Sequence, residues 1–406
     1  MTLTQDQQDA LDIFMDFITN DTDSEMILEG PPGTGKSFLT KEMIRHARAH
    51  SDLVKLLSSI DGNLNIVVTA TSNESAKIAE ENSGEPARTI HSYLGISPYN
   101  DFATGESRLR KKKDYAVQKD TLIFIDEAFS IDSVLLNMIR ESTKDCKVIY
   151  IGDRAQTTPI KEKESPLCRI KVPTAELNEP VRFKPGPIFD LSMDIRAHIL
   201  QGAPFPTIES KGGIIHVMDG DAFGEKVEEE FTNNLGAKNK ILTWTNDRSN
   251  LYNNHVRELL GVTGPYQVGE YLVANSPIFC NRELTYSTGS MVKVTSSSYA
   301  KMHDIEGQWL TLDNVHSVFS AYNFGEVTAK LKRHKKNAEW ADKFFTQEFF
   351  ADLRPPHSST VHKAQGHTLK NSFIDYEEIR ECRNKSTVAR LTYVALTRAT
   401  TEVFIY

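Results

Sequence analysis

The stretch Gly30-Pro31-Pro32-Gly33-Thr34-Gly35-Lys36-Ser37 matches the phosphate-binding loop G-x-x-x-x-G-K-[ST] in full. It follows the apolar run Met26-Ile27-Leu28 and precedes a helical pattern, which is the strand–loop–helix context that the motif requires. Its glycines let backbone N–H groups turn toward phosphates without a Cβ clash, and the helix N-terminus adds its positive dipole end. We therefore expect a nucleoside triphosphate here, with Lys36 at the β/γ-phosphates and Ser37 on Mg²⁺. The alternative, a glycine-rich turn with an exposed lysine, is disfavoured by this context.

A second motif predicts the metal and water chemistry of the same site. The apolar run Leu122-Ile123-Phe124-Ile125 is followed directly by Asp126 and Glu127, the pattern of a Walker B element. Asp126 is the expected Mg²⁺ ligand, and Glu127 is the expected general base that polarises the attacking water. Taken alone, two carboxylates at a strand end fit an ordinary turn as well as they fit a metal site. Paired with a phosphate-binding loop, they indicate nucleotide hydrolysis rather than binding alone.

Length and composition restrict the class of protein. The chain has 406 residues, 39% hydrophobic and 25% charged, which predicts a soluble globular protein. A chain of this length predicts about two to four domains. No apolar run reaches the roughly 18 residues of a membrane span, and the N-terminus lacks a signal-peptide pattern. Isolated cysteines predict free buried thiols in a reducing compartment, the cytoplasm: Cys146, Cys168, Cys280 and Cys382. The net charge of −8 confines any nucleic-acid contact to a local basic track.

The order of apolar runs predicts an α/β fold with two insertions. Continuous apolar runs such as 66–70 and 148–151 are typical of parallel sheets covered on both faces. Between them, residues 95–115 contain turn chemistry at Thr104-Gly105-Glu106-Ser107 and predict a hairpin. From 263 onward, short β-like runs separated by glycines predict a small β-barrel, and the α/β pattern returns near 351.

Four later motifs do not decide a function by their residues alone. Gly152-Asp153-Arg154-Ala155-Gln156 follows a strand, so its Asp and Gln either contact the γ-phosphate side of the site or form a plain turn. Glu179-Pro180-Val181-Arg182-Phe183 lies near the expected domain junction, and the stretches 359–366 and 393–399 come late in the chain. Isolated arginines such as Arg182 and Arg398 most often form surface ion pairs.

Taken together and in order, the motifs resemble those of the superfamily 1 DNA helicases. The set consists of Gln7 in LTQDQ, GPPGTGKS, TATS at 69–72, TIHS at 89–92, IDEA at 125–128, GDRAQ, PVRF, STVHKAQG and YVALTRA. The resemblance runs nearly end to end and is closest to the RecD-like branch, within it to the phage Dda helicases.

This resemblance implies an α/β fold with two RecA-like P-loop NTPase domains that clamp ATP between them. The first domain would carry a small hairpin insertion, the pin, and the second an SH3-like β-barrel insertion. On this basis 1–94 and 116–179 form the first RecA-like domain and 95–115 the pin. Residues 180–262 and 351–406 form the second RecA-like domain, and 263–350 form the barrel.

The resemblance also implies roles around the nucleotide. Gln7 would recognise the adenine base, and Gln156 would couple the γ-phosphate to domain closure. Arg182 and Arg398 would reach from the second domain as arginine fingers that stabilise charge in the transition state. Gly366 would also belong to the nucleotide site.

A track for single-stranded DNA is implied in the same way. It would pass Thr71, His91, Thr360 and His362, with Phe102 or Leu109 as apolar candidates at the pin. Hydroxyls suit phosphate contacts and imidazoles can stack on bases, although a lone histidine is more often structural. The basic runs at 108–113 and 330–336 either attract DNA or form solvated faces.

We therefore expect an ATP-dependent DNA helicase that translocates 5′→3′ on single-stranded DNA and unwinds duplex in replication, recombination or repair. The expected partners are single-stranded and forked duplex DNA, with a single-stranded DNA-binding protein as a further candidate and no membrane. The chain is expected to be a monomer in the cytoplasm, that of the host if it comes from a phage. Two alternatives stay open: a nucleotide-switched translocase or remodeller that does not separate strands, and a small-molecule P-loop kinase.

Overall fold

The computed structural model describes residues 3–58, 64–113, 115–159, 162–181, 186–234, 238–280 and 283–406. Up to residue 176 the strands are β1 (Glu25–Glu29), β2 (Asn65–Ala70), β3 (Ala87–Thr89), β4 (Ile96–Asn100), β5 (Ser107–Lys111), β6 (Gln118–Lys119), β7 (Thr121–Asp126), β8 (Thr143–Lys144), β9 (Lys147–Gly152) and β10 (Thr174–Glu176). The later strands are β11 (Ile215–Val217), β12 (Lys240–Thr243), β13 (Tyr271–Ala274), β14 (Ile278–Cys280), β15 (Glu283–Tyr286), β16 (Met291–Met302), β17 (Ile305–Leu312), β18 (His316–Ala321), β19 (Leu353–Arg354), β20 (Ser358–Thr360), β21 (Leu369–Ile374) and β22 (Ala399–Ile405).

Helices separate most of these strands. They are α1 (Gln5–Thr19), α2 (Lys36–Ser58), α3 (Asn73–Ser83), α4 (Ile90–Tyr93), α5 (Ser133–Ser142), α6 (Pro187–Gln201), α7 (Gly220–Asn233), α8 (Asn246–Leu259), α9 (Phe324–Lys336), α10 (Trp340–Phe349), α11 (Tyr376–Arg380) and α12 (Lys385–Leu396). Two short 3₁₀ helices lie at Ala128–Ser130 and Pro166–Arg169.

The first sheet has parallel strands in the order β10-β1-β9-β7-β2-β3. Its central strands are apolar throughout because helices cover both faces. Phe14 of α1 and Leu39 of α2 are fully buried on one face, and Ile123 of β7 is fully buried on the other with Leu136 of α5. Burying one such side chain stabilises the fold by about 1.5–3 kcal/mol.

The second sheet is also parallel, in the order β11-β22-β21-β12-β20. Helix α12 packs in the core of this sheet, where Leu391, Tyr393 and Val394 have no exposed surface. Leu191 and Ile195 of α6 lie in the same core. The predicted α/β class is therefore confirmed in both sheets, while the predicted domain limits stay predictions.

The third sheet is antiparallel, in the order β18-β17-β16-β13-β19. It begins inside the segment predicted as a barrel, but β19 pairs with β13 at Leu353 and Arg354, beyond the predicted limit of 350. The segment is not purely β: α9 and α10 occupy 324–349. Their apolar residues recur at helical spacing, and Val327 and Phe344 are buried. The SH3-like barrel itself stays a prediction.

Strands β4 and β5 form an antiparallel hairpin within the predicted insertion. Its loop is 101–106, longer than the predicted turn, and the Asp101 carboxylate accepts hydrogen bonds from the N–H groups of Ala103 and Thr104. Leu109 is not at the tip, because it packs against the core of the first sheet. The apolar residue at the tip is Phe102, which is 61% exposed.

The hairpin tip contacts α10 rather than standing free. The Phe102 ring meets the Phe344 ring edge-to-face at 5.3 Å, and Lys343 Nζ donates to the Gly105 carbonyl oxygen at 2.7 Å. Asn100 Nδ2 donates to Glu348 Oε1 at 3.3 Å. This insertion of the first sheet therefore packs on the helical part of the third sheet's unit.

The cysteines only partly match the expectation of buried thiols. All four are free, but only Cys146 and Cys382 are buried, whereas Cys168 is exposed and Cys280 is half-buried. Across the described residues, no helix has both the length and the apolar character to span a membrane.

Alanine at Gly105 should separate the hairpin tip from α10. Gly105 has a φ of +70°, and an added Cβ would lie 2.0 Å from Trp340 Cε3, so the indole ring would have to move. We expect faster amide hydrogen exchange in 101–106 with little change in Tm. Gly84→Ala is the matched control, since its φ is +76° and no described heavy atom lies within 4 Å of the added Cβ. Equal exchange of 101–106 in both variants would contradict the contact.

Candidate active site

Strand ends of the two parallel sheets border one cavity of about 1650 Å³. The first sheet contributes the carboxyl ends of its strands, where ligands of open parallel sheets bind, whereas the second contributes residues at the amino ends of β12, β21 and β22 (Lys240, Leu369 and Arg398). Residues from both sheets line the cavity; they include Gly33, Lys36, Ser37, Asp126, Glu127 and Gln156 on the first side, and Gln365, Gly366, Thr397 and Arg398 on the second. The structure thus brings the predicted nucleotide residues from both halves to one place.

The phosphate-binding loop joins β1 to the N-terminus of α2. Gly35 has a φ of +82°, and a Cβ there would lie 2.5 Å from Gln7 Nε2, so glycine is required on both counts. Lys36 Nζ donates to the carbonyl oxygens of Gly30 at 2.7 Å and Pro31 at 3.0 Å. Helix α2 begins at Lys36, so its unpaired N–H groups point at the loop.

Gln7 lies directly against this loop. Its Nε2 donates to the Thr34 carbonyl oxygen at 3.1 Å, and its Oε1 accepts from the Thr4 N–H at 3.2 Å as part of a capping box for α1. It lines the cavity but is 98% buried. Its proximity to the loop agrees with the predicted role, but its amide already has two partners, so adenine recognition stays a prediction.

The Walker B carboxylates lie at the end of β7. Asp126 Oδ1 accepts from the Glu127 N–H at 2.9 Å. Burial, with the neighbouring Glu127 carboxylate, raises the pKa of Asp126 to about 6. Glu127 has a φ of +52°, a left-handed conformation that is uncommon for a non-glycine residue and that often occurs at functional sites.

Hydrogen bonds surround Glu127 on its backbone and its side chain. Ser130 Oγ lies 2.8 Å from the Glu127 carbonyl oxygen and 2.8 Å from Thr71 Oγ1. Gln365 Nε2, from the second sheet's side, donates to Glu127 Oε2 at 3.0 Å. The Oε1 of Gln365 accepts from the Thr157 hydroxyl. Glu127 is therefore connected both to the predicted DNA track and to the opposite wall of the cavity.

The GDRAQ segment at the end of β9 contacts the core of the second sheet. Ala155 is fully buried among residues of that core, and the Tyr393 hydroxyl donates to Asp153 Oδ2 at 2.7 Å. Arg390 Nη1 donates to the carbonyl oxygens of Arg154 and Gln156 at 2.6 and 2.7 Å. The Asp153 carboxylate accepts from Tyr393 of α12 and also lies near enough to Lys36 to interact with its charge, so its place on the γ-phosphate side stays a prediction.

One predicted arginine finger reaches the cavity. Arg398 lines it and is 95% buried, with Nε and Nη1 donating to the carbonyl oxygens of Val394 and His367. Arg182 lies outside the described residues. The preceding Val181 donates its N–H to the Gly33 carbonyl oxygen at 2.8 Å, so this part of the chain passes over the phosphate-binding loop.

The predicted DNA residues differ in how much surface they present. His362 is exposed, Thr71 and His91 are half-buried, and burial lowers the pKa of His91. Thr360 is 94% buried, so it offers the least surface to a nucleic acid. Phe102 lies at the tip of the β4–β5 hairpin and is 61% exposed. Their roles as DNA contacts stay predictions.

The described residues fit a magnesium nucleotide on three observations. Asp126 and Ser37 offer hard oxygen ligands on one wall, and a bound cation would offset the cost of burying two adjacent carboxyl groups. Lys36 is half-buried in the cavity wall, and desolvation lowers its pKa with a smaller contribution from Arg398, so an anion would favour its charged form. Gln156 Oε1 is buried and has no hydrogen-bond partner among the described residues, which leaves an acceptor for a ligand or water.

Sequence reasoning missed several residues that build this site. Four residues connect the two walls, although the sequence analysis assigned none of them a role of its own: Thr157, Gln365, Arg390 and Tyr393. Their partners lie more than 200 positions away in the chain, so residue spacing could not reveal them.

Two family models match the chain. A model described as an AAA domain matches residues 2–218, more than half of the chain. This chain belongs to the AAA domain family. Beyond the AAA domain, a model described as the viral superfamily 1 RNA helicase core domain matches residues 291–406.

Relatives of this AAA-domain chain match it along almost its full length. The "ATP-dependent DNA helicase dda" of Enterobacteria phage T4 is 25% identical over 461 residues, covering 99% of this chain and 98% of the relative. An uncharacterized protein of Acanthamoeba polyphaga mimivirus is 22% identical over 496 residues, covering 97% of each. Together with the two models, they confirm the predicted resemblance to superfamily 1 helicases close to Dda.

A solved structure supports the fold. The crystal structure of the Pif1 helicase from Candida albicans superposes with a TM-score of 0.52 at 16% identity, covering all of this chain and 94% of that one. With the AAA domain match, this likeness supports RecA-like P-loop domains.

Removing the loop lysine tests the nucleotide site. Lys36→Ala removes the cation that fits the phosphates of a bound nucleotide, and we expect ATP turnover to fall by ~10²-fold or more, the scale of a lost preorganised charge contact. Binding of single-stranded DNA without nucleotide should persist. The control is Lys41→Ala, on the next turn of α2 and also at the cavity wall. Near-normal turnover in the Lys36 variant would contradict the site.

Proposed function

We propose that this chain is an ATP-dependent DNA helicase that translocates 5′→3′ on single-stranded DNA and separates the strands of a duplex. The observation that carries the proposal is the shared cavity, because the phosphate-binding loop and the Walker B carboxylates face Gln365, Gly366 and Arg398 across it. A site built from two sheets can convert nucleotide turnover into relative movement of those sheets. The direction of movement rests on the family resemblance.

We propose the following roles for these residues in ATP hydrolysis. Lys36 and the N–H groups at the start of α2 bind the phosphates, and Arg398 stabilises charge that develops on the γ-phosphate. Ser37 and Asp126 would hold Mg²⁺, which neutralises phosphate charge. Glu127 accepts a proton from water as the water oxygen bonds to the γ-phosphorus and the bond to the β-phosphate oxygen breaks. Arg182 would supply a second charge from the junction.

The DNA strand would be held chiefly through its phosphates, as sequence-independent movement requires. We propose Thr71, His91, Thr360 and His362 as its contacts, with the buried Thr360 acting after a local rearrangement. The link from Thr71 through Ser130 to the Glu127 backbone offers a physical route from strand to water activation. Phe102 at the hairpin tip would meet the fork.

The cellular setting is proposed on the same basis. We propose that the chain acts as a monomer in the cytoplasm, on single-stranded and forked DNA in replication, recombination or repair. A single-stranded DNA-binding protein is a candidate partner.

A strand-displacement assay tests the function and its polarity together. With ATP and Mg²⁺, we expect release of the labelled strand from a duplex carrying a 5′ tail, and none from a duplex carrying only a 3′ tail. ATP turnover should rise when unlabelled single-stranded DNA is added. Glu127→Gln keeps the side-chain size and should lower kcat by ~10²-fold or more, the scale of a lost general base.

Each other outcome of this assay would indicate a different activity. ATP turnover that DNA stimulates, without strand displacement on either tail, would indicate a translocase or remodeller. ATP turnover that does not change when DNA is added would favour a small-molecule kinase or another use of the AAA domain. Displacement on the 3′ tail alone would reverse the proposed polarity.

The aromatic tip of the hairpin should matter for strand separation more than for ATP turnover. Phe102→Ala removes a ring that can stack on a base, a contact of about 1–3 kcal/mol. We expect fewer base pairs opened per ATP, with DNA-stimulated turnover retained. Phe345→Ala is the matched control, since this α10 phenylalanine is 49% exposed and its ring contacts are with His303 and Phe349. An equal loss of unwinding per ATP in both variants would contradict a specific role for Phe102 at the fork.

A further inference from the structure

Gln365 forms a direct bridge across the cavity to the carboxylate of Glu127. Its Nε2 donates to Glu127 Oε2 at 3.0 Å, and its Oε1 accepts from the Thr157 hydroxyl. An ionised carboxylate can only accept, so the amide nitrogen must face Glu127 and the amide oxygen must face the hydroxyl. Both ends of the Gln365 amide thus have partners, one in Glu127 directly after β7 and one in Thr157 in the loop after β9.

The loop that carries Gln365 is anchored in the second sheet's core. Val361 and Ala364 are fully buried in the second sheet's core. Between them, the Lys363 N–H donates to the Thr360 carbonyl oxygen at 3.0 Å, and the His367 N–H donates to the Ala364 carbonyl oxygen at 3.1 Å. Displacement of one end of such a loop moves the other end with it.

The same loop presents a residue to solvent on the predicted strand track. His362 is exposed and precedes Gln365 by three positions. Lys363, between them, contacts the Asn275 side chain and lines the cavity. A strand that binds His362 and Lys363 therefore acts on the element that holds Gln365 against Glu127.

The bridge also determines which carboxylate oxygen of Glu127 is available. Oε2 accepts from Gln365, and the left-handed backbone at Glu127 is held by Ser130 on the carbonyl side. Oε1 is then the oxygen left to accept a proton from water. Because Gln365 belongs to the second sheet's side, this arrangement exists only while the two walls of the cavity are close.

We propose that Gln365 is a positioning residue, which orients the Glu127 carboxylate for water activation when single-stranded DNA holds the cavity closed. The proposal rests on the proposed function, in which Glu127 is the base and the cavity opens and closes. Gln365 itself is not assigned a contact with ATP or with DNA.

The first test compares Gln365→Ala with Gln201→Ala, an exposed glutamine at the end of α6. We expect Gln365→Ala to lower the DNA-stimulated kcat by ~10-fold, the lower range for losing a hydrogen bond to a charged group. The KM for ATP and the affinity for single-stranded DNA should stay within about two-fold, because no binding contact is removed. The basal rate without DNA should change less. Gln201→Ala should behave as wild type.

The second test places both substitutions in one chain. If Gln365 acts through Glu127, then Gln365→Ala should not lower kcat further in a Glu127→Gln background. If the two residues act independently, the fold-losses in kcat should multiply. Thr157→Val should reproduce part of the Gln365→Ala loss, and Thr157→Ser, which retains the hydroxyl, should restore the rate. A structural role for Gln365 would instead lower Tm and reduce both rates equally.

The outcomes separate this inference from the proposed function. Wild-type stimulation in Gln365→Ala, or multiplied losses in the double variant, would overturn the inference while leaving the helicase proposal intact. A normal kcat in Glu127→Gln alone would instead overturn the assignment of the base, and with it the proposal that Gln365 positions it.

Discussion

Residues 153–156 follow β9 of the first sheet but are attached to the core of the second. Ala155 is fully buried there, Tyr393 binds the Asp153 carboxylate, and Arg390 binds two carbonyl oxygens of the segment. A carboxylate and carbonyl groups buried this deeply are costly unless they are hydrogen-bonded, so these contacts fix the segment strongly. This segment therefore joins the two sheets beside the cavity.

This attachment makes the site an assembly of two incomplete halves. The first half supplies Lys36, Asp126 and Glu127, and the second supplies Arg398 and Gln365. The hairpin tip makes a second, distant connection through the Phe102–Phe344 contact. Movement of the first sheet is therefore constrained at two places, by the second sheet beside the cavity and by the third sheet's unit at the hairpin tip, which suits a protein that converts ATP turnover into mechanical work.

The features that the sequence interpretation missed share one cause. Short β-like runs around 263–350 predicted a barrel, which stays a prediction, but they did not reveal α9 and α10 within that segment, whose apolar residues pack at the end of the third sheet. Leu109 looked like a tip residue, but it faces the first core. Thr360 was expected along the DNA track, and the sequence did not show that it is 94% buried. In each case burial depends on a neighbour from another part of the chain, which local pattern does not include.

The sequence by itself determined the phosphate-binding loop, the Walker B pair, the parallel α/β class and the family resemblance. These features are local: a glycine at a positive φ, a continuous apolar strand and carboxylates at its end each require only a few adjacent residues. Only the tertiary structure decided that Gln365 meets Glu127, that Asp153 faces Tyr393 and that Phe102 meets Phe344. Such pairs arise from strand order and sheet packing, where partners more than 200 residues apart are brought within 3 Å or into ring contact.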